Sequence, residues 1–196
     1  MEVMKRVAFI DRCIDGPDDG ESLLDRIRFE ENRKIIDRLG KTYSLTTYHE
    51  LSDRTVRKMK EDCLVLGDYD AVITHVPCNE QIMEMANMMR QRATASENEI
   101  QSMLDKTYDD SLRDIKQISL ELPRARIIAY TGASPTIVTD ETLHGCGVRL
   151  VIRKWTPLSD NQLEENSQQI IKWIDGEIAP AGKTGKEYVQ EVIDRG

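Results

Sequence analysis

Long apolar runs are missing from this sequence of 196 residues. None approaches the roughly 18 residues that a membrane span needs, and 32% of the chain is charged, which excludes a membrane protein. A basic surplus is missing too: 27 Lys and Arg stand against 35 Asp and Glu, a net charge of −8. Phosphate backbones are held by clustered cations, so this balance does not predict nucleic acid as the partner. Cysteine is sparse. Cys13, Cys63, Cys78 and Cys146 form no CxxC pair, which excludes the simple zinc and thioredoxin-like motifs. They read as free thiols of a reducing, cytoplasmic compartment. The N-terminus lacks the plan of a signal peptide, and no internal repeat or low-complexity tract is present. His49, His75 and His144 are not spaced as a metal site. Asp15, Asp18, Asp19 and Glu21 crowd one loop without the spacing of an EF-hand. Gly182-Lys-Thr-Gly185-Lys186 lacks the GxxxxGK[ST] spacing of a phosphate loop. No metal and no cofactor are expected.

What the chain does have is alternation. Roughly 100–200 residues make one domain, so one domain over about 1–178 with a tail over 179–196 is expected. Five short apolar runs read as strands: Arg6 to Asp11, Tyr43 to Tyr48, Asp70 to His75, Arg126 to Thr131 and Val148 to Arg153. Between them lie helical spacings. Leu23 to Leu39 carries apolar residues at helical intervals and Gly40 stops it. Ser52 or Asp53 can cap a helix running to about Asp62, and a last helix is expected at about 160–177. Strand–helix alternation implies right-handed crossovers and a doubly wound, flavodoxin-like parallel sheet of five strands with helices on both faces. In such a sheet the site lies at the carboxyl ends of the strands. The polar residues there are Asp11, His75, Thr131 and Lys154.

One span exceeds what a crossover needs. Residues 80–122 separate the third and fourth strands, where a helix of about 10–15 residues would suffice. The span is Met-rich (Met85, Met88, Met89, Met103), and Ser96 to Glu99 has capping-box spacing, so a new helix starts there. This extended helical insert packs either on its own domain or on a second subunit. Its methionines suit an adaptable interaction surface as well as an ordinary helix core.

The order of strand-end residues resembles the receiver domain of bacterial response regulators, over about residues 5–176 with the insert excepted. Asp11 falls at the first of the acidic pair that ends a receiver's first strand, but Arg12 stands at the second. Asp70 matches the Asp that often opens the third strand. His75 stands where the phosphoacceptor Asp should be, followed by Val76-Pro77. Thr131 matches the switch hydroxyl, and Lys154 the lysine, with Trp155 replacing the usual Pro. The resemblance implies strand order 2-1-3-4-5, a protein partner or a homodimer, and contact through Tyr130, Trp155 and the methionine-rich insert (Met85, Met88, Met89).

The departures fall on the chemistry. Receiver phosphorylation needs a carboxylate nucleophile and a Mg²⁺ held by oxygen. Histidine is a poor Mg²⁺ ligand, and Arg12 would set a positive charge beside the metal position. The expectation is a pseudo-receiver: a signalling or regulatory module without catalytic residues, acting by protein–protein contact, with a vestigial site of Asp11, Arg12, His75, Thr131 and Lys154. Arg12 pairs Asp11 or binds an anion. His75 is either a hydrogen-bonded strand-end residue or a phosphoacceptor, base or pH switch. Lys154 either pairs Asp11 or is solvated. Thr131 to Ser134 is either a capped turn, with Pro135 at or near the first turn of a helix, or an anion site. The alternative function is a small enzyme or anion-binding protein on the same scaffold, using Asp11, His75, Thr131 and Lys154.

Overall fold

A computed structural model describes residues 4–14, 23–76, 87, 89–90, 96–133, 135–136, 138–154 and 157–177. Five strands form one parallel sheet: β1 (Arg6–Ile10), β2 (Ser44–Tyr48), β3 (Ala71–Thr74), β4 (Arg126–Thr131) and β5 (Val148–Arg153). Their spatial order is β2-β1-β3-β4-β5, the order expected. The helices are α1 (Leu23–Leu39), α2 (Asp53–Leu66), α3 (Glu97–Glu121), α4 (Asp140–Gly145) and α5 (Asp160–Ile174).

The pleat explains the two-sided core. Successive strand residues point to opposite faces, so runs such as Val7-Ala8-Phe9-Ile10 supply both. Val7, Phe9, Ile73, Ile128 and Tyr130 pack with Ile35 and Leu39 of α1 and with Leu163, Ile170 and Trp173 of α5. Ala8, Ile10, Val72 and Ala129 pack with Val56 and Met59 of α2, Ile115 and Ile118 of α3, and Leu143 of α4. Central strands buried on both faces read as continuous apolar runs, which is why these were legible.

Helix starts follow cap chemistry. Ser52 caps α2, and Ser96 and Ser159 form capping boxes with Glu99 and Gln162. α2 runs to Leu66 rather than to about Asp62, and its C-cap Gly67 takes φ +89°, a conformation that favours glycine. β3 ends at Thr74, leaving Asp70 and His75 just outside it.

Of the two alternatives for the 80–122 span, its later part takes packing on its own domain: α3, 25 residues long, crosses from β3 to β4. Its Ile100, Ile115, Ile118 and the following Leu122 are buried in the chain's own core. Residues 80–86, 88 and 91–95, with Met85 and Met88, lie outside the described residues. One expectation needs correcting: Pro135 does not open a helix. Residues 135–136 form a turn, and α4 starts only at Asp140, with the Thr139 hydroxyl accepting from the Thr142 N–H.

Candidate functional site

Parallel register brings the strand ends together. Ile10 pairs with Thr74 and Thr74 with Ala129. One residue further on, Asp11, His75 and Tyr130 are therefore neighbours on the face covered by α1 and α5. Lys154 follows β5, anchored by its N–H donating to the Thr131 carbonyl at 2.8 Å.

The side chains form a closed charged centre. Asp11 is 5% exposed and Lys154 only 2%. The Lys154 Nζ lies 3.8 Å from Asp11 Oδ2, 4.4 Å from the Tyr130 ring centroid, and donates to Asn32 Oδ1 at 3.3 Å. The other Asp11 oxygen accepts from the Cys13 N–H at 2.9 Å, and Asn32 Nδ2 donates to the Cys13 carbonyl at 3.1 Å. The solvated reading of Lys154 is thus replaced by the paired one. A cation at 2% exposure needs a partner, since an isolated buried charge costs many kcal/mol.

His75 Nδ1 is 3.2 Å from the Tyr130 carbonyl and 3.9 Å from Asp11 Oδ2. A carbonyl only accepts, so Nδ1 carries the proton, and the distance to Asp11 is too long for a hydrogen bond. Burial brings the imidazole pKa down to about 4. Asp11 opposes the shift, and Lys154 and Arg28 add to it. At neutral pH His75 is uncharged. Burial also resists ionisation of Asp11. The positive charges of His75 and Lys154, the Cys13 N–H and Asn32 together outweigh it and hold the carboxyl below its ordinary range. Since His75 is charged only at low pH, Lys154 is the cation that matters at pH 7.

Thr131 is buried on the opposite face of β4. Its hydroxyl donates to the Val76 carbonyl at 2.7 Å and accepts from the Ala133 N–H at 3.0 Å. The turn after β4 therefore spends its hydroxyl and an N–H internally rather than on an anion. Arg153 holds the same loop, donating to the Ala133 and Val138 carbonyls at 2.6 Å each.

Arg12 does not pair with Asp11. Arg12 sits in the bend after β1, and its guanidinium donates to Asp25 Oδ1 in the first turn of α1 at 3.0 Å. Tyr130 is not a surface residue: it is buried, its ring lying under the Lys154 ammonium. Trp155 lies outside the described residues, as do Asp15, Asp18, Asp19, Glu21 and the tail from 178. Met89 is half-buried in a helical turn.

Sequence reasoning missed the contribution of α1. Its inner face carries Arg28, Glu31 and Asn32, all buried among the apolar positions. Glu31 accepts from the Leu158 N–H at 2.7 Å, fixing the chain just after the site. Their helical spacing from Ile35 and Leu39 was the available signal. Cys13 is buried, and burial first, then the nearby Asp11 and Asp25 carboxylates, push its thiol up to about 12, so it stays protonated.

The receiver resemblance implies Mg²⁺, and these residues do not fit it. The ion takes oxygen ligands in near-octahedral geometry. Here one carboxylate faces the centre, with one oxygen on a backbone N–H and the other beside an ammonium. Among the described residues, no group of three or more His, Cys, Asp and Glu could hold a metal. No described helix is long and apolar enough to cross a membrane.

Solved structures of similar fold include response regulators. One from Thermotoga maritima matches with a TM-score of 0.51 at 14% identity, over 88% of this chain and 99% of that one. A response regulator protein from Burkholderia pseudomallei, solved with a phosphorylated aspartic acid, a calcium ion and citrate, matches at 0.45 and 13% identity, over 97% and 85%. The response regulator domain of CheB from Thermotoga maritima matches at 0.46 and 10%, over 89% and 96%. The fold likeness rests on the first of these. No family model and no curated protein matches the chain. The class this defines is structural: a CheY-like, flavodoxin-type receiver fold.

Proposed function

We propose that this chain is a signalling or regulatory module, a pseudo-receiver that works by protein–protein contact and does not undergo Mg²⁺-dependent aspartyl phosphorylation. The observation that carries the reading is the buried Asp11–Lys154 pair beside His75, whose Nδ1 meets the Tyr130 carbonyl. A phosphorylatable site must admit a dication and a phosphoryl group to a carboxylate nucleophile. This centre has an imidazole in that position, and its lysine and carboxylate already satisfy each other. An enzyme or anion-binding protein using Asp11, His75, Thr131 and Lys154 would need them open to solvent, whereas Thr131 and Lys154 are buried.

The test is amide NMR of the protein titrated with Mg²⁺ and beryllofluoride, with intact mass after acetyl phosphate treatment. The expected result is no shift near Asp11, His75, Thr131 and Lys154 and no added phosphate. Specific shifts there, or an acid-labile phosphate that disappears in His75→Ala, would make this a phosphotransfer protein.

A further inference from the structure

A hollow of about 320 Å³ lies between the ends of α2 and α3, with Cys63, Tyr69, Leu122, Pro123 and Ala125 in its wall. Its charged residues are paired within the chain, Lys60 with Glu121 at 2.6 Å and Arg124 with Asp68 at 2.9 Å. The hollow therefore offers apolar area and no net charge. It sits at the amino-terminal edge of the sheet, the edge at which α5 ends. Two pairs of neighbouring residues fix that proximity. Lys5 donates to the Ile174 carbonyl at 3.0 Å and to Asp175 at 2.8 Å, while the Arg6 guanidinium stacks 4.3 Å from the ring centroid of Tyr69, in the wall of the hollow. Arg126 donates to the Trp173 carbonyl at 3.3 Å, while Ala125 lines the hollow.

We infer that the hollow is the docking site of the chain's own C-terminal segment, residues 188–193. Reach, pattern and tethering select this occupant. Trp173 and Ile174 belong to the core on one face of the sheet, and Tyr69 and Leu122 to the core on the other. The chain after Glu177 thus has one sheet edge to pass, about 20 Å at a layer spacing of ~10 Å. Residues 178–187, punctuated by Pro180, Gly182 and Gly185, span up to ~33 Å. Tyr188, Val189, Val192 and Ile193 then fall at i, i+1, i+4 and i+5, one apolar face at helical spacing, with Glu187, Gln190, Glu191 and Asp194 opposite. Lys183, Lys186 and Arg195 balance Glu187, Glu191 and Asp194, so a neutral segment meets a neutral hollow. Tethering decides against an outside occupant. A segment on a short linker meets its site at an effective concentration in the mM range, so it fills a small apolar hollow ahead of a dilute partner. This inference is independent of the reading of the Asp11 centre.

The experiment reads Cys63, whose half-buried thiol lines the hollow. The full chain and a full-length variant carrying Val189→Ser and Val192→Ser are alkylated with iodoacetamide, and the label at Cys63 is followed by peptide mass. The variant removes half of the apolar face, adds no charge and leaves every side chain of the hollow in place. Cys63 is expected to react about tenfold faster in the variant, the ratio given by a docked form that outnumbers the open one about ten to one. Cys146, also half-buried but not in the wall of the hollow, is the control and is expected to react alike in both. The protection of Cys63 is expected to be the same at every protein concentration, because the occupant is tethered. Equal Cys63 rates in the two proteins overturn the proposal. Protection that grows with protein concentration overturns it as well, giving the hollow to a second chain.

Discussion

His75 should make this protein lose stability on mild acidification, and replacing it should remove that loss. In the unfolded chain its imidazole takes a proton near its ordinary pKa of 6.5; in the fold it does so only near about 4. Between those values the unfolded state binds more protons than the native state, so stability rises with pH across the window and falls as pH is lowered through it. The difference of about 2.5 units, at 1.36 kcal/mol each, amounts to roughly 3 kcal/mol. That is a large share of the 5–15 kcal/mol typical of a domain. The assay is urea unfolding of the wild type and His75→Asn at several pH values from 7 to 4. Asparagine keeps a donor for the Tyr130 carbonyl and does not titrate. Groups remote from residue 75 are common to both proteins and cancel in the comparison. The stability difference between the two should therefore move by about 3 kcal/mol in favour of the variant as pH falls, nearly all of it below 6.5. Parallel curves would refute the argument, because they would mean that His75 titrates alike in both states.

Two further pairs of substitutions test the charged centre and the backbone. Lys154→Met leaves Asp11 buried without its cation and should cost about 3 kcal/mol in urea unfolding. Adding Asp11→Asn should recover at least half of that, because the loss comes from the stranded charge. Gly147 has φ +97°, and a Cβ there would collide with the Ser119 side chain, whereas Gly67, at φ +89°, has open space around it. Gly147→Ala should thus cost about 2–3 kcal/mol and Gly67→Ala about 1 in paired thermal melts, the excess being the clash with α3.

Much of the fold was legible because strands buried on both faces announce themselves as short apolar runs ending in polar residues. The Asp11, His75, Thr131 and Lys154 positions came from that pattern alone, and the parallel register then brought Asp11, His75 and Lys154 together. What was not legible depended on side-chain direction. Arg12 lies in the bend after β1, and the first turn of α1 brings it a carboxylate of its own, Asp25. Tyr130 was expected at the surface because the receiver resemblance implies contact through that face, yet it is buried with its ring against the Lys154 ammonium. Asn32 and Arg28 were passed over because polarity alone does not distinguish a solvated helical position from a buried one, although their helical spacing from the apolar Ile35 and Leu39 placed them on the inner face. Helix boundaries erred where a cap lay beyond an earlier turn signal: Pro135 marked a turn, and Thr139 the true start.

Thr131 and Lys154 match the receiver pattern, and each has a structural task here that needs no phosphoryl group. The Thr131 hydroxyl joins the end of β4 to the segment after β3 and closes its own turn, with Arg153 holding the loop that follows. Lys154 neutralises Asp11 and stacks on Tyr130. A buried ion pair is weak support for stability when compared with well-packed apolar side chains, but breaking one partner is costly. An intact Asp11–Lys154 pair is therefore held by the cost of losing either member singly, with or without phosphotransfer. The presence of these two residues cannot then count as support for phosphorylation. The proposed pseudo-receiver reading therefore rests on His75, an imidazole and a poor Mg²⁺ ligand, and on Asp11, whose oxygens are taken by the Cys13 N–H and the Lys154 ammonium, whereas Arg12 is engaged by Asp25.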